Sequence, residues 1–184
     1  MHIVNLRPDD EAAIRQVAAL LVESFAANWP EAWPDLESAL EEVRESFAAG
    51  RISRVALDED GMVLGWIGGI SHYRGHVWEL HPLVVRVNQQ GKGIGRALVA
   101  DLEERVKERG GLTITLGTDD ESDQTSLSGI NLYPHVWEHL ANIKNLKRHP
   151  YEFYQKQGYV IVGLMPDANG PGKPDILMAK SVVR

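Results

Sequence analysis

The sequence predicts an α/β (α+β) fold in which a mixed sheet carries helices. Three observations point there. Strand-patterned and helix-patterned segments follow one another in the order β-α-α-β-β-β-α-β-α-α-β-β. Consecutive strand-like segments between residues 52 and 86 call for an antiparallel half, whereas the strand–helix–strand stretch over 77–117 calls for a parallel pair. The chain has 184 residues, 43% of them apolar, which suits one domain spanning 1–184 with a core of its own.

The elements are justified in turn. His2 to Leu6 is a short apolar run, read as a strand. Pro8-Asp9-Asp10-Glu11 starts a helix, and Ile14, Val17, Ala18, Leu21 and Phe25 follow at helical spacing. Trp33-Pro34-Asp35 starts a second helix, with an apolar stripe of Leu36, Ala39, Leu40, Val43 and Phe47 and a stop at Gly50. Its other side carries Glu37, Glu41, Glu42 and Glu45. Ile52 to Leu57 and Met62 to Tyr73 are strands joined by the turn Asp58-Glu59-Asp60-Gly61. Val77 to Arg86 is a strand containing Pro82. A proline cannot donate to the ladder, so it marks an edge or a bulge. Ile94, Ala97, Leu98, Leu102 and Val106 mark a long helix that Gly110-Gly111 ends. Residues 112–117 alternate as a half-buried strand, and residues 118–133 are polar and turn-rich. Tyr133 to about Leu146 reads as a helix. Pro150 opens another that runs to Gln157, and Gly158 stops it. Tyr159 to Met165 and Ile176 to Ala179 are the last strands.

Composition narrows the function. The absence of cysteine removes disulfides, thiolate metal sites and cysteine nucleophiles. No apolar run reaches the ~20 residues of a membrane span. Asp9, Asp10 and Glu11 interrupt any secretion signal, so a cytoplasmic protein without a membrane partner is expected. The net charge of −7 is unevenly placed. Residues 1–60 carry −8 and the rest +1. A nucleic-acid binder shows a basic face. This chain shows the reverse, which suits either simple solubility or a cationic partner.

The most specific local feature is Gln90-Gly91-Lys92-Gly93-Ile94-Gly95-Arg96, set between a strand and a helix. Glycines let a ligand approach the backbone, and a helix N-terminus offers free N–H groups to anions. Arg86, Lys92 and Arg96 add positive charge, so a pyrophosphate is a natural guest. The Walker loop needs Ser or Thr after Gly-Lys, but Gly93 follows Lys92. The Rossmann fingerprint needs glycine where Arg96 stands. The pattern Gln/Arg-x-x-Gly-x-Gly/Ala fits Gln90, Gly93 and Gly95.

That strand, turn and helix resemble the acetyl-coenzyme A site of the Gcn5-related N-acetyltransferase superfamily. Further blocks resemble its aminoglycoside 6′-N-acetyltransferases. These are residues 78–85 (Trp78 to Val85), Leu116-Gly117-Thr118-Asp119-Asp120, His149 to Tyr154, Asn169-Gly170 and Lys173-Pro174-Asp175-Ile176. The likeness covers most of the chain from about residue 60. Asn28-Trp29-Pro30 and the acidic helix are compatible with it. It implies a twisted central sheet with a splayed strand pair, acetyl-coenzyme A as cosubstrate, no metal, and a homodimer.

Acetyl transfer to an amine requires that the thioester be held, the ammonium lose a proton and the departing thiolate gain one. The resemblance places Leu83, Val84 and Val85 along the pantetheine arm. Gln90, Gly91, Lys92, Gly93, Gly95 and Arg96 would meet the pyrophosphate. Lys144, Lys147 and Arg148 would either meet the remaining phosphate or form a solvated helix end. Glu79 and His81, two apart on one strand, share a face and are candidates to bind or deprotonate the amine. Tyr154 resembles the superfamily's acid, with Tyr151 as its rival. A phenol near pKa 10 can supply a proton to a thiolate whose thiol has pKa about 8.5. Asp119, Asp120, Asp175, Glu41 and Trp29 complete the candidate acceptor site, where several carboxylates suit a polycation.

Other readings of the same residues are a different acceptor, such as a polyamine or a protein N-terminus, and a silent acyl-coenzyme A binding module. His135-Val136-Trp137-Glu138-His139 also has the pattern of inverted zinc peptidases, but no downstream helix supplies a third ligand.

Overall fold

The computed structural model describes residues 1–27 and 29–183. Asn28 of the Asn28-Trp29-Pro30 segment therefore lies outside the described residues. The element order is the expected one, and the chain falls into two units: residues 1–114 with the tail from 182, and residues 115–181.

The first unit contains β1 (His2–Asn5), α1 (Glu11–Phe25), α2 (Leu36–Glu45), β2 (Arg51–Leu57), β3 (Val63–His72), β4 (Val77–Val85) and α3 (Ile94–Glu108). β1 to β4 pair in sequence order, each antiparallel to the next. Asp10 caps α1 by accepting from the Ala13 N–H, and Asp35 caps α2 by accepting from that of Ser38. Each cap contributes about 1 kcal/mol by satisfying a donor that the helix leaves orphaned. The apolar stripes of both helices close over Val55, Val63, Trp66 and Val84 to make one core.

α3 is fixed by an ion pair that the sequence did not reveal. Arg54 of β2 donates to both carboxylate oxygens of Asp101 on α3, at 2.6 and 2.9 Å, and also to the Asn5 side chain and the Ile3 carbonyl. Both partners are largely buried. A forked guanidinium so engaged sets orientation as well as distance, and the helix it orients begins at the glycine turn.

β5 (Thr113–Asp119) starts beside β4. The N–H groups of Leu112 and Thr113 both donate to the His76 carbonyl, so the two strands set out from the same end, as residues 77–117 predict for a parallel pair. Strand pairs of both senses therefore occur.

The second unit holds the rest of β5, then α4 (Val136–Ala141), α5 (Tyr151–Gln155), β6 (Val160–Met165) and β7 (Asp175–Ser181). β6 and β7 pair antiparallel. The expected helix over 133–146 is only six residues long. Its C-terminal half is claimed by asparagine side chains. Asn142 donates to the Glu138 carbonyl, while Asn145 both accepts from the His149 N–H and donates to the His149 carbonyl. Such bonds compete with the helical ladder and favour loops. Lys144, Lys147 and Arg148 consequently lie on an exposed loop rather than at a helix end.

Candidate active site

The first part of the site follows from Pro82. Of the two readings of a strand proline, the structure shows the bulge. Ile67 faces Leu83 and Gly69 faces Leu80, so His81 and Pro82 together oppose the single residue Gly68. A Cβ on Gly68 would collide with the His81 carbonyl, which is why this position has no side chain. Beyond the bulge, Leu83, Val84 and Val85 pair with Ile67, Trp66 and Gly65.

Before the bulge, alternation puts Val77, Glu79 and His81 on one face. His81 is exposed, with its ring 6.1 Å from that of Trp33. Trp33 in turn meets Phe25 edge-on at 4.7 Å, and Phe25 lies 5.6 Å from Trp29. The last residue of α1 and those after it thus build an aromatic wall that reaches β4. Only Trp29 of that wall was singled out from the sequence. Glu41 is exposed on α2.

Glu79 does not stand alone. His72, at the end of β3, places Nε2 2.9 Å from Glu79 Oε2. The two residues are seven apart and meet because the β3–β4 hairpin sets Ile70 opposite Glu79 and His72 opposite Val77. No spacing rule in the sequence marks that pairing.

The glycine turn has the expected conformation. Gly91 and Gly93 adopt φ of 75° and 86°, a region costly for other residues, and Gly93 is the N-cap of α3. A Cβ at either would meet nothing within 4 Å, so the space before the helix is open. No side chain caps α3, which leaves its first N–H groups facing that space. The Gln90 side chain donates to the Val85 carbonyl and Lys92 to the Gln89 side chain, so the turn is tied back to β4. Gly95 and Arg96 follow in the first turn of α3, with Arg96 exposed. Arg86 is spent differently: its Nε donates to the Val63 carbonyl.

The second unit, taken by itself, holds a carboxylate face and a pair of buried phenols. Gly117 leaves room for Asp175, whose carboxylate oxygens lie 2.6 and 2.8 Å from where a Gly117 Cβ would be. Asp119 projects from the same face as Gly117 and accepts from the Asn169 side chain. Asp120 is placed differently from Asp119. It is fully buried, and its oxygens accept the Gln124 and Thr125 N–H groups at 2.7 Å each. Its charge therefore folds the following loop and is withdrawn from any ligand.

His149 locks this strand end to α5. Its Nδ1 accepts from the Tyr151 N–H, which leaves Nε2–H to donate to the Asp119 carbonyl. The ring is thus neutral, and burial holds its pKa below the usual imidazole value. Tyr151 and Tyr154 are both buried, and burial pushes both phenols above their ordinary pKa. The Tyr151 hydroxyl is met by the Asn145 backbone. Tyr154 packs edge-on against Phe153 and Tyr159.

The His-x-x-Glu-His segment forms exposed α4. His135 and Glu138 are 3.9 Å apart at the surface. Among the described residues, no group of three His, Asp or Glu side chains is placed to hold a metal ion.

With this geometry in hand, three comparisons are informative. The model of the acetyltransferase (GNAT) family matches residues 14–134. Among solved structures, an aminoglycoside 6′-N-acetyltransferase complexed with coenzyme A is 44% identical, with a TM-score of 0.93, covering 100% of this chain and 98% of that one. The enzyme of the same description from Enterococcus faecium is 42% identical, with a TM-score of 0.89 and the same coverage. Among curated proteins no sequence matches.

Proposed function

Because the chain belongs to the acetyltransferase (GNAT) family, we propose that it transfers the acetyl group of acetyl-coenzyme A to the 6′-amine of aminoglycosides. The observation that carries this reading is the end-to-end likeness to an aminoglycoside 6′-N-acetyltransferase complexed with coenzyme A. The family match runs from the first unit into the second, and the likeness to the coenzyme A complex covers 100% of the chain, which supports treating residues 1–184 as one catalytic domain.

Acetyl-coenzyme A supplies an acetyl group activated as a thioester. The open turn at Gly91 and Gly93 and the uncapped start of α3 fit its pyrophosphate, because a helix N-terminus presents N–H groups and partial positive charge to anions. Gln90 and Lys92 shape that turn, and Arg96 adds charge beside it. Leu83, Val84 and Val85, beyond the bulge, are assigned to the pantetheine arm. Glu79 takes the proton of the 6′-ammonium, directly or through a water, and the freed amine attacks the thioester carbonyl. His81 and the Trp29–Trp33 wall offer a flat surface for a sugar ring.

Tyr154 serves the departing sulfur. Burial holds the phenol protonated and pushes its pKa well above that of a thiol near 8.5, so full proton transfer runs uphill. Its task is to donate a hydrogen bond to the developing thiolate, which takes up the second proton shed by the attacking nitrogen as the amide forms. Tyr151 is the rival, because the Asn145 backbone N–H donates to its oxygen and leaves its own O–H free; Tyr154 is assigned the role on its place four residues before Gly158.

Asp119 and Asp175 are assigned to the acceptor's other ammonium groups, with exposed Glu41 as a further attraction. The Asp119→Asn variant tests this. It should raise KM for the aminoglycoside about tenfold, the loss of one charge-assisted hydrogen bond, and leave KM for acetyl-coenzyme A unchanged. An unchanged aminoglycoside KM would remove Asp119 from the acceptor site.

Two further parts belong to the proposal. A homodimer would cover the exposed Val160 and Val162 of β6 and Trp137 of α4. A cytoplasmic location is supported by the metabolite it uses, and no helix among the described residues is long and apolar enough to cross a membrane.

A further inference from the structure

We propose that His72 is a positioning residue that controls the base strength of Glu79, so that the acid side of the enzyme's pH profile belongs to this imidazole. The proposal rests on the reading of Glu79 as the base. The two side chains share one face of the β3–β4 hairpin, and the ring reaches diagonally across it to place Nε2 2.9 Å from Oε2. Their side chains are 44% and 38% exposed, so the ring exchanges protons with solvent while it holds the carboxylate.

A neutral ring donates from Nε2 to Oε2, fixes the carboxylate plane and leaves Oε1 for the amine. When Nδ1 also takes a proton, a cation stands beside the carboxylate. It stabilises the ionised form and weakens it as a proton acceptor, and it repels an approaching ammonium. Both effects slow the reaction as pH falls.

The other charged groups around this face do not reproduce that switch. Arg51 of β2 lies in the same cross-strand row, Arg51 to Ile70 to Glu79, and pairs with Glu45 after α2 begins its last turn, at 3.8 Å. Arg74 follows His72 in the hairpin turn, beside Tyr73 and His76. Guanidinium groups and phenols as classes do not change charge over the range where imidazoles titrate. His81 is two residues from Glu79 on the same strand and turns its ring toward Trp33. His76 lies before β4 begins, its carbonyl engaged by Leu112 and Thr113.

The test is kcat/KM for a 6′-amino aminoglycoside at saturating acetyl-coenzyme A, from about pH 8.5 to about pH 5.5, for the full wild-type chain, His72→Gln and Glu79→Gln. A glutamine amide can donate the same hydrogen bond without titrating. The substrate's own titration cancels in the ratio of variant to wild type. That ratio for His72→Gln should rise about tenfold from the alkaline to the acid end, and Glu79→Gln should be slow throughout. A ratio that stays flat while Glu79→Gln is slow overturns the role of His72 and spares the base assignment. A Glu79→Gln variant as fast as wild type overturns both.

Discussion

Tyr154 shows how an environment decides a residue's chemistry. Its position four residues before Gly158 was visible in the sequence, but its burial was not. In the role proposed for it, burial makes Tyr154 a hydrogen-bond donor rather than a proton donor, because the phenol is too weak an acid to part with its proton fully. Tyr154→Phe should therefore lower kcat about a hundredfold, the range seen when one donor to a developing anion is lost, with both KM values nearly constant. Steady-state kinetics with each substrate varied in turn would measure this, and an unchanged kcat would exclude the role. Residue types marked Glu79, Asp119 and Asp175 as candidates, since carboxylates suit an ammonium acceptor. They also marked Asp120, and nothing in the sequence says that Gln124 and Thr125 turn their N–H groups back onto it. His72 went unnoticed for a related reason. Its meeting with Glu79 depends on hairpin register, which a bulge can shift by one residue.

At the scale of elements the sequence was most informative. Periodicity, caps and glycine stops gave the five α-helices and seven strands of the described residues in their order, because local chemistry fixes them: Asp10 and Asp35 cap their helices, and Gly93 and Gly158 adopt positive φ where their helices start or stop. They did not give the short 3-10 turns at Tyr73–Gly75 and Val87–Gln89. The helix over 133–146 failed where side-chain competition from Asn142 and Asn145 overrode the apolar pattern. The bulge at Pro82 was anticipated, but its complement on β3 was not. Gly68 is the partner that lets the His81 carbonyl press in. Gly68→Ala should destabilise the protein by about 2 kcal/mol, as overpacking at a site that cannot relax does. Urea unfolding followed by tryptophan fluorescence would read it, Trp66 being buried one register step away. An unfolding midpoint equal to wild type would mean that the bulge yields easily and does not shape β4.

For the whole molecule the informative quantity is where charge sits. The first 60 residues carry −8, and exposed Glu37, Glu41 and Glu45 on α2 account for part of it. Asp119 and Asp175 add a carboxylate face in the second unit. The turn at Gly91 and Gly93, proposed above for the cofactor's pyrophosphate, carries Lys92 and is followed by Arg96. Two ligands of opposite charge explain this division better than solubility, which needs only a net excess. The central claim is the identity of the cationic ligand, and acetyl transfer to a panel of amines tests it most directly. The full chain would be incubated with acetyl-coenzyme A and, separately, with tobramycin, kanamycin, an analogue bearing a 6′-hydroxyl, spermidine and an alanine-initiated peptide, while free thiol release is followed. Rapid release with tobramycin and kanamycin, and almost none with the 6′-hydroxyl analogue, is the predicted result. Rapid turnover of spermidine or the peptide with none of either aminoglycoside would contradict it.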